Sequence, residues 1–315
     1  MTDEIPDPPI RDPHVSDNPL SRCGFIALVG APNAGKSTLL NSLVGSKVSI
    51  VTHKAQTTRA QIRGVVTNGD SQVIFVDTPG IFAPKRRLDR AMVEAAWSGA
   101  GDADLVALII DAEKGITAEV ESLLEGLKEV RNPLVLVLNK IDLLKREKLL
   151  ALAETLNARL QFEQTFMISA MKGDGVRDML AWAEQRVPLG PWHFPEDHLT
   201  DLTLAITAAE VTREKLFLRI HDEIPYNTTV ETEKFTVQKD GSYRIDQVIY
   251  LSREAHKKIV LGAGGNTIKS IGADSRAELM ELFETPVHLF LFVKVREKWG
   301  DDPERYREMG LDWTK

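Results

Sequence analysis

A nine-residue glycine-rich segment constrains this chain more than any other feature. The segment "GAPNAGKST", residues 30–38, fits G-x-x-x-x-G-K-[ST] and stands between the apolar run "GFIALVG" and the helix-like run "KSTLLNSLVG". In such a loop, backbone N–H groups close around phosphates, and the helix that follows adds the positive end of its dipole. The segment therefore predicts a strand–loop–helix unit that binds the phosphates of a nucleotide.

The residues that follow alternate between strand-like and helix-like runs. Two apolar runs separated by "NGD" predict a hairpin. After them come the strand-like "DLVALIID", "PLVLVLN" and "TFMIS", which alternate with the helix-like "TAEVESLLEGLKEV", "EKLLALAETLNARL" and "VRDMLAWAEQRV". This alternation predicts an α/β domain with a mostly parallel sheet, which we assign to residues 22–187.

Composition changes on both sides of this domain. Residues 1–21 are acidic and proline-rich, and predict a disordered tail rather than a signal peptide. Residues 188–201, "PLGPWHFPEDHLTD", predict a linker, because prolines interrupt them. Residues 202–315 then follow in the order helix, strand, strand, helix, helix, strand, and Pro225 is predicted to end the first of these helices.

Bulk composition excludes some classes of protein. No apolar run reaches the ~18–20 residues that cross a bilayer. The only cysteine is Cys23, which excludes an internal disulfide and fits a reducing compartment. The net charge of −7 argues against coating nucleic acid through bulk charge, although a local basic patch is compatible with it.

The first loop and the segment "DTPG", residues 77–80, predict contacts to phosphate and magnesium. Lys36 should reach the β- and γ-phosphates, and Ser37 should place its hydroxyl on Mg²⁺. Asp77 can hold the same ion through water, and the N–H of Gly80 can meet the γ-phosphate. The other loop residues predicted to contact the nucleotide are Gly30, Asn33, Ala34, Gly35 and Thr38.

Two further short motifs predict a guanine site. In "NKID", residues 139–142, Asp142 can accept both N–H donors of guanine, a pair that adenine lacks, and Asn139 is expected to face the same base edge. In "SAMKG", residues 169–173, the N–H of Ala170 is expected to meet the guanine O6. Lys140, Ser169 and Met171 complete the predicted nucleotide site. Each motif is weak alone, but four in this order favour a GTP-binding domain.

A second glycine-rich loop, "GAGG" at residues 262–265, lies between two helix-like runs. A dinucleotide-binding loop would follow a strand and carry a third glycine where Thr267 stands. G-x-x-G between two helices is instead typical of a KH domain, whose loop clamps a nucleic-acid backbone. The alternative is a plain helix–turn–helix connection with a solvated basic face.

The predicted nucleic-acid site surrounds this second loop. It comprises the loop itself, a basic patch and an apolar groove for the bases. The loop residues are Gly262, Ala263, Gly264 and Gly265; the basic residues are Arg253, Lys257, Lys258 and Lys269; the groove residues are Ile259, Leu261, Ile268 and Ile271.

Taken together, these motifs resemble the bacterial Era GTPases. The resemblance includes "KAQTTR", "REKLF", "DEIPY", "IGADSRAELMELF" and "VHLFLFVKVREKWGDDPERYREMG". It implies a Ras-like P-loop GTPase domain followed by an α+β type II KH domain, with GTP or GDP and Mg²⁺ as ligands. It also implies a monomer that binds the single-stranded 3′ region of small-subunit ribosomal RNA and assists maturation of the small ribosomal subunit. The implied location is the cytoplasm, with peripheral association with the inner membrane.

The resemblance assigns further roles and exposes departures. Thr58 is favoured as a magnesium ligand, with Thr57 as the alternative. Ile81 stands where Ras-like proteins carry the glutamine that orients water, so hydrolysis is expected to be slow or assisted from elsewhere. Asn33 matches a potassium ligand of related GTPases, or else only tolerates a tight loop. Ala263 replaces the usual lysine, which lowers the expected RNA affinity. The candidate catalytic residues are Lys36, Thr58, Gly80 and Asn33.

Two other functions fit the same motifs. A GTPase that acts on another RNA, for example in tRNA modification, would need a second catalytic or cofactor site. A membrane-associated regulatory GTPase would need an amphipathic anchor or coiled-coil heptads. Neither feature is visible in the sequence.

Overall fold

A computed structural model describes residues 20–54, 57–297, 299 and 302–313. Residues 1–19 of the predicted tail therefore lie outside the described residues. The first half contains the strands β1 (Arg22–Gly30), β2 (Ile62–Asn68), β3 (Ser71–Asp77), β4 (Leu105–Asp111), β5 (Leu134–Asn139) and β6 (Gln164–Met167), and the helices α1 (Lys36–Val44), α2 (Arg87–Asp102), α3 (Ala118–Leu127), α4 (Arg146–Asn157) and α5 (Val176–Arg186).

The six strands form one sheet in the order β2-β3-β1-β4-β5-β6. Only the β2–β3 hairpin is antiparallel, so the predicted mostly parallel sheet is confirmed. Every residue of β4 is buried, because helices cover both faces of a parallel sheet and its strands then need apolar side chains on both sides. The carboxyl ends of the parallel strands meet at one edge, which brings the loops that carry the nucleotide motifs together.

Helix α2 is absent from the predicted pattern. Half of its buried residues are alanines, namely Ala91, Ala96 and Ala100, so large apolar residues mark a helical period only weakly. Asp89 fixes the start of the helix by accepting hydrogen bonds from the N–H groups of Lys85 and Arg86 at 3.1 and 3.0 Å. The prediction therefore missed a helix that begins shortly after the "DTPG" segment.

The second half is an α+β unit with the order expected of a type II KH domain. Its elements are α6 (Leu204–Arg219), β7 (Thr228–Val237), β8 (Tyr243–Leu251), α7 (Glu254–Leu261), α8 (Asn266–Leu282), β9 (Val287–Val295) and α9 (Pro303–Glu308). The strands lie in the order β7-β8-β9, with β8 and β9 parallel. Pro225 does not end α6: the chain becomes extended at Ile220, and Pro225 begins a short 3-10 turn.

The segment predicted as a linker, residues 188–201, packs along the first sheet. Trp192 and Phe194 cover Cys23, Val65 and Ile74. The backbone N–H of Val65 donates to the carbonyl of Leu199 at 2.9 Å. These contacts tie the segment to the outer strand β2 before the chain enters α6.

The end of the chain returns to the first half of the molecule. Aromatic and aliphatic side chains from this end pack on α2, forming a small core from Leu88, Ala91, Met92, Trp299, Tyr306 and Leu311. The two halves therefore share a buried apolar contact. Among the described helices, none has both the length and the apolar character needed to cross a membrane.

Candidate nucleotide and nucleic-acid sites

The first glycine-rich loop is held from several sides. Gly35 adopts a φ of 97°, and a Cβ there would lie 2.2 Å from the amide nitrogen of Asn139. A Cβ on Gly80 would lie 2.9 Å from the backbone of Pro32, so the "DTPG" turn touches the loop directly. Glycine is therefore required at both positions for close approach. The loop borders a cleft of about 350 Å³ that residues 50–54, 57 and 58 close on one side.

The Lys36 ammonium lies inside this loop. Its Nζ donates to the carbonyls of Gly30 and Ala31, each at 3.0 Å. Burial lowers the pKa of Lys36 to about 8, and the nearby Asp77 carboxylate opposes that shift. Lys36 begins α1, so its ammonium and the helix N-terminus together favour an anion in the loop.

Three hydroxyls converge on the Asp77 carboxylate. Ser37 and Ser49 donate to Asp77 Oδ2 at 2.6 and 2.9 Å, and Thr58 Oγ1 lies 3.3 Å from the same oxygen and 2.9 Å from Ser37 Oγ. Asp77 Oδ1 is buried and makes no hydrogen bond within the described part of the chain. Burial raises the pKa of Asp77, and the Lys36 ammonium opposes that shift. The Asp77 carboxylate together with the Ser37 and Thr58 hydroxyls matches the all-oxygen ligand set that Mg²⁺ prefers.

The structure separates the two candidate threonines. Thr58 faces Ser37 and Asp77, whereas the Thr57 hydroxyl bonds to the Thr52 hydroxyl at 2.6 Å and to the Lys54 carbonyl at 2.8 Å. Ser49 was not predicted as a site residue, because it lies in "SKVSI", which matches no nucleotide motif. Only the fold brings it to Asp77.

Asn139 occupies a different place from the one expected. Its side-chain nitrogen donates to the Ala34 carbonyl at 2.9 Å, and its oxygen accepts from the N–H groups of Lys140 and Ala170 at 2.8 and 3.0 Å. The amide therefore joins the first loop, "NKID" and "SAMKG", and it is buried rather than facing a base. The N–H of Ala170 is directed at Asn139 here, not at an open position for O6.

Asp142 is the part of "NKID" that remains available. The residue as a whole is exposed, its side chain is 17% exposed, and Lys172 lies 3.3 Å from its Oδ2. The Ser169 hydroxyl and Lys172 hold the pKa of Asp142 below its usual range, so it is a carboxylate at neutral pH. Met171, which is 82% exposed, borders the cleft and offers an apolar surface for a base.

Lys140 and Asn33 connect the base motif to the loop that closes the cleft. Lys140 Nζ bonds to Asp111 at 2.6 Å and to the Asn33 carbonyl at 2.9 Å. The Asn33 side chain donates to the His53 carbonyl at 2.9 Å. Asn33 has a φ of 62°, so it does adopt the tight conformation that was one interpretation of this residue. Ile81 is buried in the apolar core and cannot direct a water molecule.

The second glycine-rich loop is open. Gly262, Gly264 and Gly265 all have positive φ values of 73°, 59° and 78°. A Cβ on Gly262 would meet Thr267, but one on Gly264 would meet nothing within 4 Å, and one on Gly265 only Lys269 at 3.9 Å. Ala263 is exposed with ordinary helical geometry. The loop is thus shaped by its own backbone and faces solvent between α7 and α8.

The residues predicted around this loop do not all share one surface. Arg253, Lys258 and Lys269 are exposed, and Lys257 pairs with Glu254 at 3.6 Å. Ile259 is 53% exposed, whereas Ile268 packs against the core. Ile271 is fully buried, so it belongs to the core and not to a groove for bases.

The two halves match two family profiles. Residues 25–140 match the profile described as "50S ribosome-binding GTPase", and residues 223–300 match the profile described as "KH domain". Curated relatives span both halves: the chain is 61% identical over 295 residues to the GTPase Era of Rhizobium meliloti (strain 1021), covering 94% of each chain. It is 58% identical to the GTPase Era of Mesorhizobium japonicum, covering 96% of this chain and 98% of that relative.

Two solved structures have the same architecture. Aquifex aeolicus Era bound to GDP·AlF4⁻ superposes with a TM-score of 0.87 at 36% identity, covering 92% of this chain and 99% of the other. A complex of Era with MgGDPNP and nucleotides 1506–1542 of 16S ribosomal RNA gives the same TM-score, identity and coverage.

Proposed function

Because this chain belongs to the Era family of GTPases, we propose that it is a GTP-driven switch that binds the 3′ region of small-subunit ribosomal RNA and assists maturation of the small ribosomal subunit. GTP hydrolysis and the use of guanine nucleotide with Mg²⁺ follow from the family itself. The RNA part of the proposal rests on one observation, the open G-x-x-G loop between α7 and α8.

In this proposal, Lys36 and the start of α1 bind the phosphates, and Asp142 selects guanine. Ser37, Thr58 and Asp77 would hold Mg²⁺, which neutralises charge on the β- and γ-phosphates when bound. The contact between the Thr58 and Ser37 hydroxyls supports Thr58 over Thr57 in this role. Ser49 orients Asp77 through its hydrogen bond.

The proposal also gives Asn33 a catalytic contribution. Its side-chain nitrogen donates to the His53 carbonyl, which places the asparagine beside the phosphate loop. We propose that the amide oxygen of Asn33 binds potassium, and that this ion supplies positive charge to the phosphates, which the apolar Ile81 cannot do.

The proposal also includes a monomeric state, a cytoplasmic location and a peripheral association with the inner membrane. These three features derive from the resemblance in sequence. Sedimentation of the purified protein and fractionation of cells, with and without a high-salt wash of the membranes, would test them.

Crosslinking in cells followed by sequencing of the bound RNA tests the RNA target. We expect reads to concentrate at the 3′ end of 16S ribosomal RNA, and to become fewer in Ala263→Asp, which places a carboxylate in the open loop. Enrichment of 23S ribosomal RNA or of tRNA would instead support a GTPase that acts on another RNA.

A further inference from the structure

The two residues on either side of Thr58 are held by the other half of the molecule. The carbonyl of Thr57 accepts a hydrogen bond from Arg213 Nη2 of helix α6 at 2.6 Å. The guanidinium of Arg59 donates to the carbonyls of Thr228 and Pro225 at 2.9 and 3.1 Å. Thr58 therefore lies between two residues that are both hydrogen-bonded to the second half of the molecule.

The two arginines are buried in a fixed arrangement. The side chain of Arg213 is 2% exposed and forms a bidentate pair with Glu210 one turn earlier on α6. Arg59 lies between the rings of Phe217 and Trp299, at 5.7 and 5.4 Å from their centroids. Burial lowers the pKa of Arg59 to about 9, and the charge of Arg213 adds to that shift. Buried charges are tolerated only with their partners in place, so this arrangement has little freedom to move.

The same helix also holds the segment upstream of Thr57. The N–H of Val51 donates to Glu214 Oε1 at 2.8 Å, and Lys54 Nζ contacts the carbonyls of Phe217 and Ile220. Helix α6 thus contacts the loop that closes the nucleotide cleft at three separate points. None of these contacts involves a nucleotide motif.

We propose that Arg213 is a positioning residue for the GTPase site: it holds the Thr57–Thr58 backbone so that the Thr58 hydroxyl stays beside Ser37 and Asp77. This rests on the proposed role of Thr58 as a magnesium ligand. Ordering a free loop costs conformational entropy, and a loop already fixed by α6 avoids most of that cost when GTP binds. We call the hydrogen bond from Arg213 to the Thr57 carbonyl the clamp. GDP lacks the γ-phosphate, so its binding should not depend on the position of Thr58 or on this clamp.

Arg213→Met tests the proposal in the full chain. We expect the ratio of GTP-analogue affinity to GDP affinity to fall about tenfold, the net worth of a hydrogen bond from a charged group. GDP affinity should stay within about twofold of wild type, because Lys36 and Asp142 are untouched. Amide hydrogen exchange at residues 57–60 with bound analogue should become faster. An unchanged ratio and unchanged exchange in a folded variant would overturn the proposal.

Arg219→Met is the matched control. Arg219 ends the same helix and pairs with Asp274 of α8, and its side chain makes no hydrogen bond or ion pair with the described residues 47–54 and 57–60. Its removal should leave the affinity ratio and the exchange unchanged. An equal loss in this variant would mean that α6 acts through its general stability, and would contradict a specific role for Arg213.

Two further variants keep the outcomes separable. Thr58→Ala should also lower the affinity ratio, and an unchanged ratio would mean that the proposed magnesium site is wrong. If the ratio falls in Thr58→Ala but not in Arg213→Met, the role of Arg213 is rejected and the magnesium site stands. Should Arg213→Met fail to fold, Glu210→Gln keeps the arginine and weakens its fixation. We expect at least about a threefold fall in the ratio for that variant, and an unchanged ratio there would reject the clamp.

Discussion

The two glycine-rich loops of this protein use glycine for different purposes. In the first loop, a Cβ at Gly30 or Gly35 would collide with a neighbouring strand or side chain, at 2.5 and 2.2 Å. In the second loop, Gly264 and Gly265 have open space around them and are glycines because their φ values are positive. The first loop needs glycine for packing, at Gly35 together with a φ of 97°, whereas Gly264 and Gly265 of the second loop need it only for backbone conformation.

The two loops also differ in the contacts that hold them in place. Asn139 and Lys140 of "NKID" bond to carbonyls of the first loop, and Lys36 bonds to two carbonyls within it, so its shape exists before the ligand arrives. The second loop is anchored mainly at Gly262, where Thr267 packs closely. A preformed loop suits a ligand of fixed geometry, such as a triphosphate, and an open loop suits a flexible single strand.

The largest expected effect comes from base selection at the nucleotide site that includes the first loop. Asp142→Asn should lower GTP and GDP affinity about 1,000-fold, because two hydrogen bonds to a carboxylate are lost. Xanthine nucleotides should bind better than in wild type, since the amide can donate to the carbonyl at C2 of xanthine. Competition binding measures both, and Asp142→Ala, which cannot donate, should bind neither nucleotide well. GTP affinity within tenfold of wild type would show that "NKID" does not read the base.

The two loops can be compared by one matched substitution. Gly35→Ala should reduce nucleotide affinity by about 100-fold, because the new methyl group meets Asn139 at a φ that already strains alanine. Gly264→Ala, also at positive φ, should reduce RNA affinity by no more than about fivefold, since only the backbone preference opposes it. Titrations of both ligands with both variants give the comparison. Equal losses would mean that the second loop is as tightly packed as the first.

The sequence predicted the elements that have a local signature. Apolar runs such as "DLVALIID" indicated the central strands, and the helix-like run "KSTLLNSLVG" indicated α1, which ends at Gly45 with a φ of 75°. Helix α2 was missed, because half of its buried residues are alanines and leave only a weak hydrophobic period. Motif spacing identified Asp77 and Ser37, but nothing local indicates that Ser49 or Arg213 approaches them. Arg213 lies 156 residues from Thr57 along the chain, and only tertiary packing shows that contact.

A substitution of Asn33 tests whether the first loop contributes to GTP hydrolysis as well as to phosphate binding. GTP turnover should be about tenfold faster in potassium than in sodium at equal ionic strength, the effect of about 1.4 kcal/mol on the barrier. Asn33→Ala should remove that difference while GDP affinity stays near wild type. Steady-state rates in the two salts decide this. If the wild-type rates are equal, Asn33 serves only to shape the loop and to contact His53.

The buried ammonium of Lys36 gives the first loop a pH dependence. Its folded-state pKa is about 8, below the usual 10.5, so the nucleotide-free protein releases this proton before the unfolded chain does. Stability of that form should therefore rise with pH between about 8 and 10.5.

Nucleotide phosphates favour the charged form of Lys36, so binding should take up a proton. GDP affinity should fall about threefold between about pH 7.5 and about pH 8.5 as the ammonium becomes neutral. Calorimetry in two buffers of different ionisation heat measures the uptake directly. In Lys36→Arg the guanidinium stays charged, so no proton should be taken up. Uptake of equal size in that variant would assign the proton to another group.

The smallest effect concerns the open loop at Ala263. The position is exposed, has ordinary backbone geometry and already carries a Cβ, so substitutions there avoid the strain expected at Gly265. Ala263→Lys should add one phosphate contact, and the slope of log K against log salt should steepen by about 0.7. Ala263→Asp should weaken binding through repulsion of the same phosphate. Titrations at several salt concentrations measure both slopes.

Because a backbone contact carries no sequence information, the gain in Ala263→Lys should be similar for unrelated single strands. An unchanged slope in Ala263→Lys would mean that this side of the open loop faces away from the RNA, or that Lys258 or Lys269 already neutralises that phosphate.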